Sequence, residues 1–315
     1  MASDSHNPQV PTSFLDIEQH GLKTLHVPGF VDFMAAEADA IWATNQDRVE
    51  KYRLGSDTPI ASVAVPAPVG VMVTAFGSLW VASHTDQAIY RVSLAEMCVE
   101  AVIPTGLADA SQVAVAGRVI NGTGELSIAA GAGSIWVVSD VAGVLSRIDP
   151  QSNTVIAQIA IAPFSYNVAF GHDALWVSNP KQGGVQRIDP ISNHVVATIA
   201  VGEIPWFIAA GEGAVWSLNQ GDGTVSRIDP QTHEVIPISL PIEAAGDGGD
   251  LTTGGGQVWV RTTGVLLMAI DPHSLEITKT YGPSAGVGSG GVMVAGDHVW
   301  VTAHDIDRVW VLNTR

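Results

Sequence analysis

One cysteine, Cys98, in 315 residues excludes an intrachain disulfide framework. Charge is also scarce: only 14% of residues are Asp, Glu, Lys or Arg, where roughly a quarter is usual. Positive charge is scarcer still, with 14 Lys and Arg against 31 Asp and Glu and a formal net charge of −17. Phosphate recognition needs clustered Lys and Arg, so a nucleic-acid partner is excluded, and an anionic membrane surface is disfavoured for the same reason. No apolar run is long enough to span a bilayer. The opening residues, MASDSHNPQVPTSF, lack the apolar stretch of a secretory signal. These absences set the expectation of a soluble, cytoplasmic protein.

What the chain does contain is a repeat. A Trp followed by small or β-branched residues recurs at Trp42, Trp80, Trp136, Trp176, Trp216, Trp259 and Trp300. The spacings are 38, 56, 40, 40, 43 and 41 residues. A period near forty with strand-like content marks propeller blades. The apolar fraction of 46% suits strands buried on both faces, and 33 Gly with 17 Pro suit frequent tight turns.

Residues 195–229 show how one unit is written. VVATIAV at 195–201 is an outer strand, 206–210 the strand nearest the axis, 214–218 the second and 224–228 the third. Asp229-Pro230 then opens a turn whose first φ is pre-set by proline, and the pair recurs at Asp149-Pro150, Asp189-Pro190 and Asp271-Pro272. The last unit ends after Val309-Trp310-Val311-Leu312 without an outer strand, whereas residues 22–27 form an orphan outer strand ahead of the first unit. Pairing the two closes the ring and removes two exposed edges. The expected fold is all-β: one seven-bladed β-propeller of four-stranded blades over 22–315, preceded by a tail at 1–21. The interval between Trp80 and Trp136 carries an excess at about 104–124, a loop placed to overhang the channel mouth.

The units IWVVSDVAGVLSRIDPQSNTVIAQIAI (135–161) and LWVSNPKQGGVQRIDPISNHVVATIAV (175–201) resemble the YVTN-type bacterial propeller repeat and, more loosely, the blades of the virginiamycin B lyase family. The resemblance covers about residues 22–315. It implies a magnesium-dependent C–O lyase whose His and Glu residues stand at the channel mouth. In the lyase-like blade the second strand ends in Glu three residues after the Trp. Here that place holds Asn45, Ser83, Ser139, Asn179, Asn219, Thr262 and Ala303, so those glutamates have no counterpart.

Two loop sets share one face of a propeller, the second-to-third-strand loops and those entering each innermost strand. The first set includes Asn45, His84-Thr85-Asp86, Asp140, Asn179, Asn219-Gln220 and His304-Asp305. The second includes Phe30 to Phe33, Phe164 to Asn167, Trp206 and the stretch 247–250. His84 and His304 both fall four residues after a blade Trp, each with carboxylates close by. Two such imidazoles can act as base and orienting group, with Asp140 in the same register, or bind a divalent metal such as magnesium together with Asp86 and Asp305. They can equally be surface-loop residues. Arg261 stands where other blades carry small or apolar residues, either to clamp a substrate carboxylate or to bridge two blades. Trp206, Tyr166, Phe164 and the three Asn residues Asn45, Asn179 and Asn219 complete a candidate substrate-binding set. By contrast Arg91, Arg147, Arg187 and Arg227 repeat at one third-strand position and serve the repeat. No organic cofactor is implied.

Titratable residues thus gather on one face of a charge-poor chain, which favours an enzyme acting on a small, carboxylate-bearing or cyclic organic molecule. A lyase stands ahead of a hydrolase such as a lactonase. The remaining alternative is a non-catalytic binding or scaffold propeller with a protein partner.

Overall fold

The computed structural model describes residues 14–83, 85–105, 112–115, 118–121, 126–140, 142–241, 248–282 and 289–315. They form seven four-stranded antiparallel blades arranged in a ring. The innermost strands are Met34–Glu37, Pro68–Ala75, Ile128–Gly131, Val168–Gly171, Pro205–Gly211, Gly249–Gly254 and Val292–Ala295. Each touches the next, and the last touches the first. The three inner strands read for blade 5 hold to within one residue, as Pro205–Gly211, Ala214–Asn219 and Thr224–Ile228; the outer strand read at 195–201 is His194–Ala200 of blade 4, and Val235–Ser239 is the outer strand of blade 5.

The core lies between blades rather than along the axis. Every blade Trp is fully buried against the following blade: Trp42 meets Leu79, Val81 and Tyr90, and Trp216 meets Val258, Val260 and Met268. Burying one indole removes about 200 Å² from water, worth about 5 kcal/mol. In blades 3, 4 and 5 the indole nitrogen is satisfied locally: Trp136, Trp176 and Trp216 each donate to the carbonyl five residues earlier at 3.0 Å. That carbonyl belongs to a glycine for a steric reason. A Cβ on Gly171 would lie 2.6 Å from the Cβ of Ala210 on the next innermost strand, so the blades approach this closely only without a side chain.

The ends close the ring as expected. Lys23–His26 pairs antiparallel with Arg308–Asn313 as the outer strand of blade 7. Lys23 extends the clasp to blade 1, donating to the carbonyls of Leu54 at 3.1 Å and Ser56 at 2.8 Å. The residues just upstream are also built in. Leu15–Asp16 adds a short parallel strand to the edge of blade 6, and Ile17 is fully buried beside Trp259, Leu267 and Trp310. The insertion contains two antiparallel paired strands, Gln112–Val115 and Arg118–Asn121. Its flanks, and so its placement over the mouth, lie outside the described residues.

Among the described residues no helix is long and apolar enough to cross a membrane.

Candidate functional site

Three neighbouring blades, 6, 7 and 1, build an acidic constellation where their strands end at the axial mouth. The second strand of blade 7, His298–Ala303, runs into a single 3-10 turn, His304–Ile306, that ends at Asp307 in the left-handed region (φ 55°). This turn folds the His304 imidazole back over the ring instead of letting it continue into solvent. Its Nδ1 lies 3.3 Å from Asp32 Oδ1 and its Nε2 3.2 Å from Asp305 Oδ1, while the Phe30 ring stacks on it with centroids 3.9 Å apart. The Asp32 approach is off-line for a full hydrogen bond, so the contact is chiefly a charge interaction that strengthens when the imidazole is protonated. Burial pulls the His304 pKa down, but Asp32 and then Asp305 outweigh it, and the net shift is upward against the opposing charge of Arg261.

Asp250, on the innermost strand of blade 6, shows which part of the site is scaffold and which is chemistry. Its Oδ2 accepts from Val292 N of the next innermost strand at 3.0 Å. In the equivalent register, Asn167 Oδ1 accepts from Ile208 N at 3.1 Å and Ser127 Oγ from Val168 N at 2.9 Å. Neutral residues therefore perform this interblade tie elsewhere, and the tie does not require an ionisable group. In blade 6 it is a carboxyl enclosed by protein, with only one edge open to the cleft. Burial, against the two N–H groups of Val292 and Leu251 that favour ionisation, pushes its pKa up to about 7, with Asp32 adding to the rise and Arg261 opposing it.

Arg261 does face inward, but it is fully buried. Its guanidinium donates to the carbonyls of Thr262 and Thr302 and feels the charges of Asp32, Asp250 and Asp305. A substrate carboxylate cannot reach it, so the expected clamp is replaced by a fixed positive charge under the acidic cluster. Burial lowers its pKa to about 10, which leaves it charged at neutral pH.

Asp32 and Asp250 line a small cleft of about 60 Å³ with Phe33, Phe207, Gly248, Gly249 and Ser289–Gly291. A side chain on Gly249 would place its Cβ 2.4 Å from the Arg261 carbonyl, so the floor is bare backbone by necessity. Gln220, buried beside Gly249, has an Nε2 donor with no hydrogen-bond partner. An unpaired buried donor costs about 1–3 kcal/mol. Phe207 links the cleft to an aromatic wall in which Tyr166 meets Trp206 edge-on at 4.5 Å and Phe207 at 5.9 Å. Tyr166 and Trp206 thus stand beside the cleft as expected. Phe164 lies apart, under the Lys181 ammonium at 3.9 Å.

The remaining expected residues divide. Asn45, Asn179 and Asn219 are buried, and each spends its amide on its own surroundings. Asn45 donates to Pro28 O and Glu50, Asn179 to Pro163 O and Ser165, and Asn219 to Thr224 and Ser226. They hold loops in place rather than line the mouth. Asp86 accepts from Tyr90 and Thr85 in its own blade. His84 lies outside the described residues, as does the side chain of Asp140. Among the described residues no group of three or more His, Cys, Asp or Glu is disposed to hold a metal. Both His304 nitrogens face carboxylates, and a guanidinium already supplies the positive charge beneath them, so this donor set does not fit a divalent ion.

No protein-family model matches the chain, and no curated protein matches it. Solved structures do match. Selenomethionine-substituted virginiamycin B lyase from Staphylococcus aureus superposes with a TM-score of 0.75 at 15% identity, covering 92% of this chain and 98% of that one. The fold is that of virginiamycin B lyase. A catalytically inactive His-to-Ala variant of the same lyase, solved with Quinupristin, gives the same values. A streptogramin B lyase follows with a TM-score of 0.73 at 15% identity, over 92% of this chain and 95% of that chain.

Proposed function

We propose that this protein is a lyase that eliminates a C–O bond from a small neutral molecule at the axial mouth. The observation that carries the reading is that Asp32 and Asp250 line one cleft while His304, from a third blade, lies against Asp32. The lyase-type fold supports it. A cleft of about 60 Å³ is far below the ~300 Å³ at which a site encloses a small ligand, so only the reacting edge of the substrate enters. Three carboxyl groups over one guanidinium disfavour an anionic substrate, which replaces the carboxylate expected from Arg261.

Elimination needs a base for a C–H beside a carbonyl and an acid for the departing oxygen. Neutral His304 takes the proton, and Asp32 stabilises the imidazolium that forms. The C–H electron pair becomes the second bond of a C=C, and the C–O pair leaves with the oxygen. Asp250, kept protonated by burial where an ordinary Asp would be ionised, gives that oxygen its proton. Proton exchange with water then resets both groups.

The test is a panel of linear and cyclic esters that carry the leaving oxygen β to a carbonyl, followed by the absorbance of the conjugated product. Turnover should fall about 10²–10⁴-fold in His304→Ala while the thermal midpoint stays near that of the native protein. Unchanged turnover in that variant contradicts the assignment. Water appearing in the product would make the protein a hydrolase instead.

A further inference from the structure

The opposite face of the ring carries a second site. In blades 2 and 3 the third-strand arginine is an interblade clamp. Arg91 stacks over Trp80, gives Nε to Ser78 Oγ at 2.8 Å, and reaches across to the next blade's Asp-Pro turn at Pro150 O (2.6 Å) and Asn153 Oδ1 (2.9 Å). Arg147 repeats this with Trp136, Ser134 Oγ (2.9 Å), Pro190 O (3.0 Å) and Asn193 Oδ1 (3.1 Å). Acceptors on two blades thus fix each guanidinium.

At the next junction both acceptor side chains are gone. The serine is replaced by Ala174 and the asparagine by His233. The turn itself is conserved, since Asn153, Asn193 and His233 share the left-handed conformation at φ 55°, 57° and 62°. Arg187 still lies over Trp176, at 5.7 Å, but its buried Nε has no partner and it makes none of the clamp's hydrogen bonds. In place of the clamp there is a groove of about 320 Å³ lined by His172, Asp173, Arg187, Pro230, Gln231 and His233. His233 stands edge-on to the same Trp176 ring at 6.3 Å, and His172 is pinned through Nε2 to the Ala214 carbonyl at 3.2 Å. The nearby Asp189 feels the charge of Arg187, but its oxygens accept from Ile191 N and Ser192 Oγ in its own turn and do not replace the clamp's hydrogen bonds.

We propose that this groove binds a small oxyanion, a carboxylate or a phosphate, whose oxygens take the place of the acceptors lost from the clamp. A guanidinium fork matches two oxygens of such a group. The volume lies in the range of small-ligand sites. Asp173, exposed at the rim, opposes the anion through water and weakens the site without closing it.

The experiment is calorimetric titration of the full chain with inorganic phosphate and, separately, acetate. Saturable binding of either one is expected, and the preferred probe identifies the oxyanion. Arg187→Gln should weaken it at least tenfold, and Asp173→Asn should tighten it. Ala174→Ser combined with His233→Asn rebuilds the internal clamp, so this variant should lose binding at least tenfold while its ligand-free thermal midpoint rises. That rise also shows that the variant folds. No saturable binding of either probe to the native chain, or equal affinity in the rebuilt variant, overturns the proposal.

Discussion

Replacing Asp250 by Asn separates the structural role of this residue from its proton. Asn keeps an acceptor for Val292 N, as Asn167 does for Ile208 N in blade 4, so the interblade tie survives. The perturbation removes the titration and one backbone contact. In the native protein the carboxyl is held up to about 7 against an ordinary value of 3.8. The folded state therefore binds this proton more tightly than the unfolded chain, and stability falls as pH rises from about 4 through 7. Three pKa units correspond to about 4 kcal/mol, an upper figure because one edge of the side chain meets water in the cleft. At roughly 2 °C per kcal/mol for a chain of this size, the native protein should lose up to about 8 °C of thermal midpoint over that range through this residue alone. Asn forgoes the contact from Leu251 N to Oδ1, which offsets the whole curve by about 1 kcal/mol without changing its slope. The assay is thermal unfolding of both proteins from pH 4 to 8. The midpoint difference should move steadily in favour of Asp250→Asn as pH rises. Parallel profiles would refute the reasoning, because they would mean that Asp250 is ionised throughout.

Three further outcomes follow from the same geometry. Asp32→Asn removes the charge that raises His304, so the acidic limb of the kcat/KM profile should move to lower pH as the maximal rate falls; an unmoved limb would detach Asp32 from His304. Ile17→Ala should cost about 2–5 kcal/mol in denaturant unfolding, since the side chain is fully buried against blades 6 and 7; a cost below about 1 kcal/mol would show that the segment before residue 22 is dispensable. Gly171→Ala forces its new Cβ to 2.6 Å from Ala210 and should destabilise by about 1–3 kcal/mol, whereas a neutral result would mean that the blades can separate at no cost.

The architecture was legible because its signals are local and repeated. A Trp every forty residues, Asp-Pro turns and strand alternation each report on a few neighbouring positions, and the missing outer strand of the last blade pointed directly to residues 22–27. The site is legible only in part. His304 and Asp305 stand out as a departure from the blade pattern. Asp32, Asp250 and Gln220 sit in the correct loops, yet nothing local distinguishes them from other polar residues at strand ends. Their meeting depends on which of seven strand ends tilt towards one another across gaps of hundreds of residues. Asn45, Asn179 and Asn219 carry the opposite lesson. Polar residues at strand ends look available in sequence, but carbonyls at Pro28 and Pro163 and hydroxyls at Thr224 and Ser226 already occupy their amides. Arg261 likewise reads as a substrate clamp until Asp250 of its own blade and Asp32 and Asp305 of the two following blades are found around it and its exposure is found to be zero. One signal for Asp250 was present in the repeat: a carboxylate where the matching register of blades 3 and 4 holds Ser127 and Asn167.

Whether His304 and the Asp32–Asp250 cleft perform an elimination is measured most directly by mass spectrometry of a cyclic ester turned over in heavy-oxygen water. Elimination opens the ring without adding water, so the product should keep the mass of the substrate, carry no heavy oxygen, and disappear in His304→Ala. A product heavier by one water molecule and labelled with the heavy isotope, or the same yield from His304→Ala, would contradict it.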